Sequence, residues 1–307
     1  RRRALFEWTL PFTWLNPFSI TASRVPPELF HGRQRALEQV RNLREGFLVY
    51  GGRQLGKTAL LTMTEHDCHR PTEERLALRI DLKSEGIGYG QGPGEIWEVI
   101  ARLLNGLKLG ILDERIVQQT VSDGGKALRQ RLQQWLDAKP HRQLLLMLDE
   151  ADAFMLKDAD AEHPFTVLGS LKLLMEASGH RFKVVLAGLR DVQRMARIAN
   201  VPNSPLAHLG RGICVGPLLA DGESLAARRL LEAPLRALGF RFDSGELPNR
   251  ILALANYYPS LIQVFGYHLI EHMTQRGGML AGPPYRIGSQ HIDDTFRQAS
   301  LRDEFVK

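Results

Sequence analysis

The segment Gly51-Gly52-Arg53-Gln54-Leu55-Gly56-Lys57-Thr58 has the spacing G-x-x-x-x-G-K-[ST] and follows a short apolar run at residues 47–50. The apolar run predicts a buried strand, and residues 59–64 predict a helix. A glycine loop between a strand and a helix predicts a phosphate-binding loop, and these flanks argue against a chance match in a glycine-rich turn. The residues expected to bind a nucleotide through this loop are Gly51, Gly52, Arg53, Gln54, Leu55, Gly56, Lys57, Thr58 and Ala59.

The chemistry of such a loop follows from its backbone. Its N–H groups surround the β-phosphate, and the partial positive charge of the helix N-terminus favours the anion. Lys57 is expected to reach the β- and γ-phosphates and to act in catalysis, and the Thr58 hydroxyl is expected to bind Mg²⁺. The loop therefore predicts a nucleotide and Mg²⁺ as cofactors. ATP or ADP is expected instead of a guanine nucleotide because the sequence contains no N-K-x-D motif of the kind that recognises guanine.

A second apolar run, at residues 144–148, ends in Asp149 and Glu150. An unbroken apolar run is typical of a parallel strand covered on both faces. We expect Asp149 to hold the Mg²⁺ shell, mostly through water, and Glu150 to polarise the water that attacks the γ-phosphate. The alternative is a pair of acids that merely starts a helix. Asp152 is expected to be an N-cap or a supporting acid and not a metal ligand.

Arg190 follows the apolar run at residues 184–187 by three positions. The end of such a strand is expected to lie beside the γ-phosphate, where a cation could sense that phosphate and stabilise charge during its transfer. The alternative is a surface arginine that starts a helix, and Arg194 and Arg197 compete for the role.

The order of apolar runs predicts the fold class. Strand-like and helix-like segments alternate through residue 215, which predicts a parallel α/β sheet. A glycine-rich stretch at residues 84–94 predicts a flexible loop. Strands are expected at residues 47–50, 76–82, 144–148, 184–187 and 213–215, and helices in this part at 33–44, 95–107, 113–138 and 165–177.

The character of the chain changes after Pro217. Four helix-like segments follow, at residues 223–238, 247–255, 259–274 and 291–299, and no strand-like run stands out among them. We therefore expect four segments: an extended, aromatic and proline-containing stretch at 1–29, a P-loop core at 30–216, a helical lid at 217–276, and the start of a further unit at 277–307.

The composition and charge of the chain limit the kinds of partner and compartment that we expect. Cys68 and Cys214 have no metal-ligand spacing, which favours a reducing cytoplasm over a disulfide framework. No apolar run approaches the roughly 20 residues of a membrane span, so no membrane partner is expected. A net charge of +6 permits contact with nucleic acid, but the arginines are spread along the chain and form no block. The N-terminal Arg1-Arg2-Arg3, without a methionine, indicates a piece of a longer chain.

Several segments together resemble those of STAND ATPases and of the related AAA+ replication-initiator ATPases. They are Glu28-Leu29-Phe30-His31-Gly32-Arg33, the phosphate loop, Leu148-Asp149-Glu150-Ala151-Asp152, Ala187-Gly188-Leu189-Arg190, and Asn256-Tyr257-Tyr258-Pro259-Ser260-Leu261-Ile262-Gln263. The resemblance runs from about residue 16 to the end. It implies a RecA/AAA-like P-loop NTPase core, a helical lid, and the start of a winged-helix-like unit.

The resemblance also implies roles for single residues. Phe30, Gly32 and Arg33 would lie near the adenine, Arg190 would be the sensor after the fourth core strand, and Pro259 would be the lid contact to the base. The lid segment departs from the family in having Tyr257 where glycine is frequent. The helix starting at Pro259 also lacks a clear second sensor arginine, which suits the STAND class and leaves open whether hydrolysis is fast, slow or absent.

The leading hypothesis is an ATP-binding and ATP-hydrolysing switch, with slow turnover. Its nucleotide state would control self-association or an effector, either another protein or another domain of a longer chain, and the resemblance implies bacterial signalling or phage defence. One alternative is a DNA-binding initiator or loader ATPase, which would need a completed winged helix. Another is a scaffold that binds nucleotide without hydrolysing it.

Overall fold

The computed structural model describes residues 16–18, 20, 25–44, 47–189, 212–220, 222–275 and 283–306. The chain forms two compact units. The first, here called the α/β unit, comprises residues 34–52 and 60–215, and the second, the helical unit, comprises 1–33, 53–59 and 216–307.

The α/β unit contains a five-stranded sheet in which every pair of neighbouring strands is parallel. The spatial order is β2-β3-β4-β1-β5, so the chain crosses over between non-adjacent strands. The predicted parallel α/β fold is therefore confirmed. The strands are β1 Leu48–Tyr50, β2 Arg75–Asp81, β3 Gln143–Asp149, β4 Phe182–Gly188 and β5 Ile213–Cys214.

The two central strands β3 and β4 are buried on both faces. All residues of β4 and all but the first of β3 are buried. This explains the unbroken apolar runs at residues 144–148 and 184–187 within them, because a strand with two covered faces has no alternating polar positions. The register pairs Asp81 with Asp149 and Leu148 with Leu186, so the carboxyl ends of these strands lie along one edge of the sheet.

Seven α-helices belong wholly or mostly to the α/β unit, as far as its described residues show. Their apolar faces join the strands in one core that contains Trp97, Phe154 and Phe182. The helices are α1 Gln34–Arg41, α2 Lys57–Cys68, α3 Ile96–Gly106, α4 Glu114–Ser122, α5 Lys126–Asp137, α6 Asp152–Ala159 and α7 Thr166–Ala177.

The single helix predicted at residues 113–138 is wrong, because the chain breaks it into α4 and α5 at Gly124 and Gly125. Both glycines have positive φ, 62° and 84°, a conformation that L side chains rarely adopt. A Cβ on Gly125 would also lie 2.2 Å from Cγ of Trp97, so the indole occupies the space of a side chain. The apolar spacing on either side of this break hid it from a periodicity argument.

The glycine-rich stretch at residues 84–94 forms a loop with internal hydrogen bonds, so the predicted loop is confirmed and its flexibility stays a prediction. Gly86 O accepts from the amides of Tyr89, Gly90 and Gln91, and Gly88 N donates to Gln91 O. A Cβ on Gly88, which has φ +85°, would lie 2.5 Å from Phe154 N, so this loop packs directly on the backbone of the first turn of α6.

A buried lysine links β4 to α1. Lys183 is fully buried and its ammonium donates to the carbonyls of Val40 and Asn42 at the C-terminal end of α1. The last carbonyls of a helix lack hydrogen-bond partners within the helix and carry partial negative charge. A cation at this position therefore supplies both a hydrogen-bond donor and a compensating positive charge.

The helical unit has a core of its own, which includes Phe18, Leu231, Phe265 and Leu301. Its elements are the 3-10 turn Pro27–Leu29 and α8 Glu223–Ala237, β6 Phe240–Phe242, α9 Leu247–Leu254, α10 Pro259–Gln275, β7 Tyr285–Ile287, α11 Ser289–Phe296 and α12 Ala299–Val306.

Two expectations for this part of the chain differ from the structure. The strands β6 and β7 form a parallel pair, although no strand was predicted after Pro217; three residues are too few for a periodicity signal. The described part of segment 277–307 also shares the core of α8 to α10, so it packs here with the lid helices. The division into four segments stays a prediction. Among the described helices, none is long and apolar enough to cross a bilayer.

Candidate functional site

The glycine loop has the local geometry that a phosphate-binding loop requires. The chain leaves β1 at Tyr50, turns through residues 53–56, and enters α2 at Lys57. Gln54 and Gly56 have positive φ, 62° and 86°, which folds the backbone tightly before the helix. The Leu55 side chain is buried and anchors the turn, and Lys57 is 8% exposed.

Two backbone amides at the tip of this loop are candidates for binding an anion. Within the described part of the chain, the amides of Leu55 and Gly56 donate no hydrogen bond, and they directly precede the N-terminus of α2. Such amides need a partner, and a phosphate at the positive end of a helix supplies one. The loop therefore fits a nucleotide phosphate on its own geometry.

Gly51 is confined by the chain that follows β5. A Cβ at this position would lie 2.2 Å from the carbonyl oxygen of Val215, a backbone atom that cannot move aside cheaply. The first glycine of the predicted loop is thus needed for close approach between two backbone segments at the end of β1.

The predicted acidic pair lies at the carboxyl end of β3, on the sheet edge where β1 also ends. Asp149 is 1% exposed, and its Oδ1 accepts the backbone N–H of Glu150 at 3.1 Å. Glu150 has φ 53°, a left-handed conformation unusual for a residue with a side chain. Such strain persists only where the surroundings enforce it, and it is frequent at functional sites.

Arg79 is a neighbour of Asp149 that the sequence argument missed. Its Nη1 lies 3.5 Å from Oδ2 of Asp149, from the adjacent strand β2, and both side chains are largely buried. A charged residue inside the apolar sequence of β2 was the available signal. The buried carboxylate therefore has a cation on one side, and its oxygens are of the type that Mg²⁺ prefers.

Two hydrogen bonds tie the residues after Glu150 to the end of β4. Ala151 N donates to Ala187 O at 2.9 Å, and the Asp152 carboxylate accepts the Leu189 N–H with its two oxygens at 3.1 and 3.0 Å. Asp152 is the first residue of α6, whose N-cap is Ala151, so the N-cap role is wrong and the supporting role is supported. Arg190, Arg194 and Arg197 lie outside the described residues.

Tyr89, in the glycine-rich loop, is electrostatically coupled to the same region. Desolvation raises the pKa of its hydroxyl, and the nearby carboxylates of Glu150, Asp152 and Asp81 raise it further. Half of the Tyr89 side chain is exposed. An aromatic residue surrounded by glycines gave no signal in the sequence for a position near Glu150.

Within the helical unit, Arg33 joins the phosphate loop to α8. Its Nη1 and backbone N–H donate to the two carboxylate oxygens of Glu223, each at 2.7 Å. Its Nη2 donates to the carbonyls of Leu55, at 3.2 Å, and of Gly216. Gly32, beside it, packs against Ala226 of α8. Arg33 is thus a buried connector in this structure, and the adenine contact implied for it and for the half-buried Phe30 stays a prediction.

Pro259 and Ser260, at the start of α10, also approach the phosphate loop. The Ser260 hydroxyl donates to Gln54 O at 2.9 Å, and a Cβ on Gly56 would lie 3.9 Å from Cγ of Pro259. Tyr257, two residues before Pro259, has φ 57°, the left-handed conformation that glycine adopts most easily.

The predicted metal ligands are Thr58, at the start of α2, and Asp149. Both offer oxygen atoms, and Mg²⁺ binds few protein oxygens because it retains water and phosphate ligands. The described residues contain no group of three or more His, Cys, Asp or Glu side chains that could hold a metal ion by themselves. Thr58 and Asp149 stay the predicted ligands of a cation that would be held together with a nucleotide.

Residues 41–196, just over half of the chain, match the AAA domain family model. The chain therefore belongs to the AAA domain family of nucleotide-binding P-loop ATPases. Among solved structures it is similar to that of PCH-2 from C. elegans, with 10% identity and a TM-score of 0.37, over 90% of this chain and 65% of that chain. The chain thus spans less than two thirds of that chain's length. A search of curated proteins found no match.

Proposed function

We propose that this protein is an ATP-binding and ATP-hydrolysing switch of the STAND type, in which nucleotide state controls self-association or an effector. The observation that carries the proposal is the order of β1, glycine loop and α2, together with an acidic pair at the end of β3 on the same sheet edge. Membership of the AAA domain family supports the ATPase part.

Each proposed role follows from the position of a side chain. Lys57 begins α2 beside the loop amides, where its ammonium would add positive charge to the phosphate cradle. Asp149 and the Thr58 hydroxyl would supply oxygens to Mg²⁺, which neutralises phosphate charge when bound. Glu150 would orient and polarise a water molecule, because its carboxylate follows directly on the proposed metal ligand.

Contacts inside the helical unit support a switch rather than a simple nucleotide store. The carbonyls of Gln54 and Leu55 in the phosphate loop accept hydrogen bonds from Ser260 and Arg33, respectively. Arg33 is in turn paired with Glu223 at the start of α8. A change in the loop on phosphate binding would therefore act directly on the starts of α8 and α10, which are the lid helices of the proposal.

The test is ATP turnover and mass in solution, measured on the wild type, Glu150→Gln and Glu162→Gln. Glu162 is exposed and lies beyond the end of α6, so its substitution controls for loss of one carboxylate. We expect Glu150→Gln to retain ATP and to lower turnover by about 10²–10⁴-fold, the usual effect of removing a general base. The ATP-bound variant should also form a larger species, and Glu162→Gln should match the wild type.

Two results would contradict the proposal. If the wild type binds nucleotide without turnover and neither variant changes mass, the protein is a nucleotide-dependent scaffold. If turnover is normal but mass is independent of nucleotide, the self-association part fails, and a nucleotide-dependent affinity for an effector would have to replace it. Salt-dependent binding to DNA in either state would instead favour the initiator class.

A further inference from the structure

The turn that carries Glu150 is fixed by contacts on both sides. Before it, Asp149 Oδ1 accepts the Glu150 N–H. After it, the Ala151 N–H donates to Ala187 O. The Leu189 N–H donates to both carboxylate oxygens of Asp152, at N···O distances of 3.1 and 3.0 Å. Glu150 itself has the unfavourable φ of 53°.

The Asp152 carboxylate accepts a hydrogen bond from the Leu189 amide, which has no partner in the sheet ladder. The pairing of β4 with β1 ends at Gly188, opposite Tyr50, so Leu189 has passed the end of the ladder. A charged carboxylate is a stronger acceptor for this amide than a neutral group would be. The end of β4 and the first turn of α6 are therefore held together by a charge-assisted contact.

We propose that Asp152 is a positioning residue for catalysis: it holds the left-handed turn that aims the Glu150 carboxylate. Only one residue separates the two acids, so a displacement of Asp152 is transmitted almost directly to Glu150. A left-handed residue relaxes towards ordinary φ values when its surroundings stop enforcing it. The inference rests on the proposed function, because it needs Glu150 to act on water.

Asp158 provides a matched control within the same helix. Its buried carboxylate likewise accepts backbone N–H groups from a later part of the chain, those of Val167 and Leu168 at the start of α7, at 3.1 and 2.9 Å. Asp158→Ala therefore removes a carboxylate-to-backbone contact of the same kind, but at the opposite end of α6 from Glu150. A purely structural role predicts the same phenotype for both substitutions.

The experiment measures kcat, KM, and the Kd for a fluorescent ADP analogue with Mg²⁺ in the wild type, Asp152→Ala, Asp152→Asn and Asp158→Ala. We expect Asp152→Ala to lower kcat by about ten- to a hundredfold with Kd unchanged, because small misplacements of a catalytic group have effects of this size. Asp152→Asn keeps one acceptor oxygen and should recover most of the rate. Asp158→Ala should lose stability but keep kcat.

The same measurements in the Glu150→Gln background complete the test. Asp152→Ala should cause no further loss there, since the carboxylate that it positions is already absent. A multiplicative loss in the double variant, or equal kcat values for Asp152→Ala and Asp158→Ala, would overturn the inference while leaving the proposed function intact. A wild type that binds nucleotide without turnover would defeat the proposed function itself, and the inference with it.

Discussion

Arg33→Ala should strongly destabilise the helical unit. The Arg33 side chain is 9% exposed and that of Glu223 19%, and the guanidinium donates to one carboxylate oxygen and two carbonyls. Breaking a buried ion pair by removing one partner costs about 3–5 kcal/mol. Glu223 keeps some exposure to water and the Arg33 N–H at 2.7 Å, so we expect about 2–4 kcal/mol. Alanine has a Cβ as arginine does, so the strain at φ 64° is unchanged.

The assay is urea unfolding followed by circular dichroism, together with hydrogen exchange of the α8 amides, because two units need not unfold together. Arg228→Ala is the matched control. Arg228 is also paired with a glutamate, Glu232, but in a partly exposed pair four residues apart on α8, which should be worth less than about 1 kcal/mol. Equal losses for the two substitutions would refute the buried-network argument. A double variant with Glu223→Ala should recover part of the loss.

Three further outcomes follow from other parts of the chain. Gly125→Ala should lower the unfolding free energy by about 1–3 kcal/mol in thermal or urea unfolding, because the added Cβ would overlap Trp97. Gly90→Ala is the control and should be neutral, because nothing lies within 4 Å of a Cβ at that position. If Gly125→Ala were equally neutral, the packing of Trp97 against Gly125 would be contradicted. Lys183→Met should lower the unfolding free energy by about 1–3 kcal/mol, because the carbonyls at the end of α1 lose their hydrogen-bond donor. A more stable variant would show that the desolvation cost of the buried ammonium exceeds the stabilisation from its hydrogen bonds. Hydrogen bonds from Arg142 and Lys139 lower the pKa of Glu74 to about 2 from 4.5, so the contribution of this carboxylate to stability is complete above pH 4.5 and is lost as the pH falls towards 2. The difference in unfolding free energy between the wild type and Glu74→Gln should therefore shrink over this pH range. A difference that does not change with pH would contradict this prediction.

Much of the α/β unit was predictable because its signals are local and strong. Buried parallel strands are mostly apolar, so β3 and β4 are marked in the sequence by the apolar runs at 144–148 and 184–187, and β2 by an apolar run that Arg79 interrupts. The phosphate loop is equally local, since Gln54 and Gly56 form one tight backbone turn directly before the helix that starts at Lys57. Signals failed where they were short or mixed: β6 and β7 have three residues each, and Gly124-Gly125 breaks an otherwise helical pattern.

By itself, the sequence determined the type of fold and predicted the type of chemistry, from a phosphate-loop motif after one apolar strand and an acidic pair after another. It could not determine which side chains hold these groups in place. The pairs Arg33–Glu223, Arg79–Asp149 and Asp152–Leu189 are separated by tens of residues or more, and each forms only because the fold brings distant segments together. Tertiary structure decided these contacts because a buried charge or amide takes whichever partner the packing places within reach.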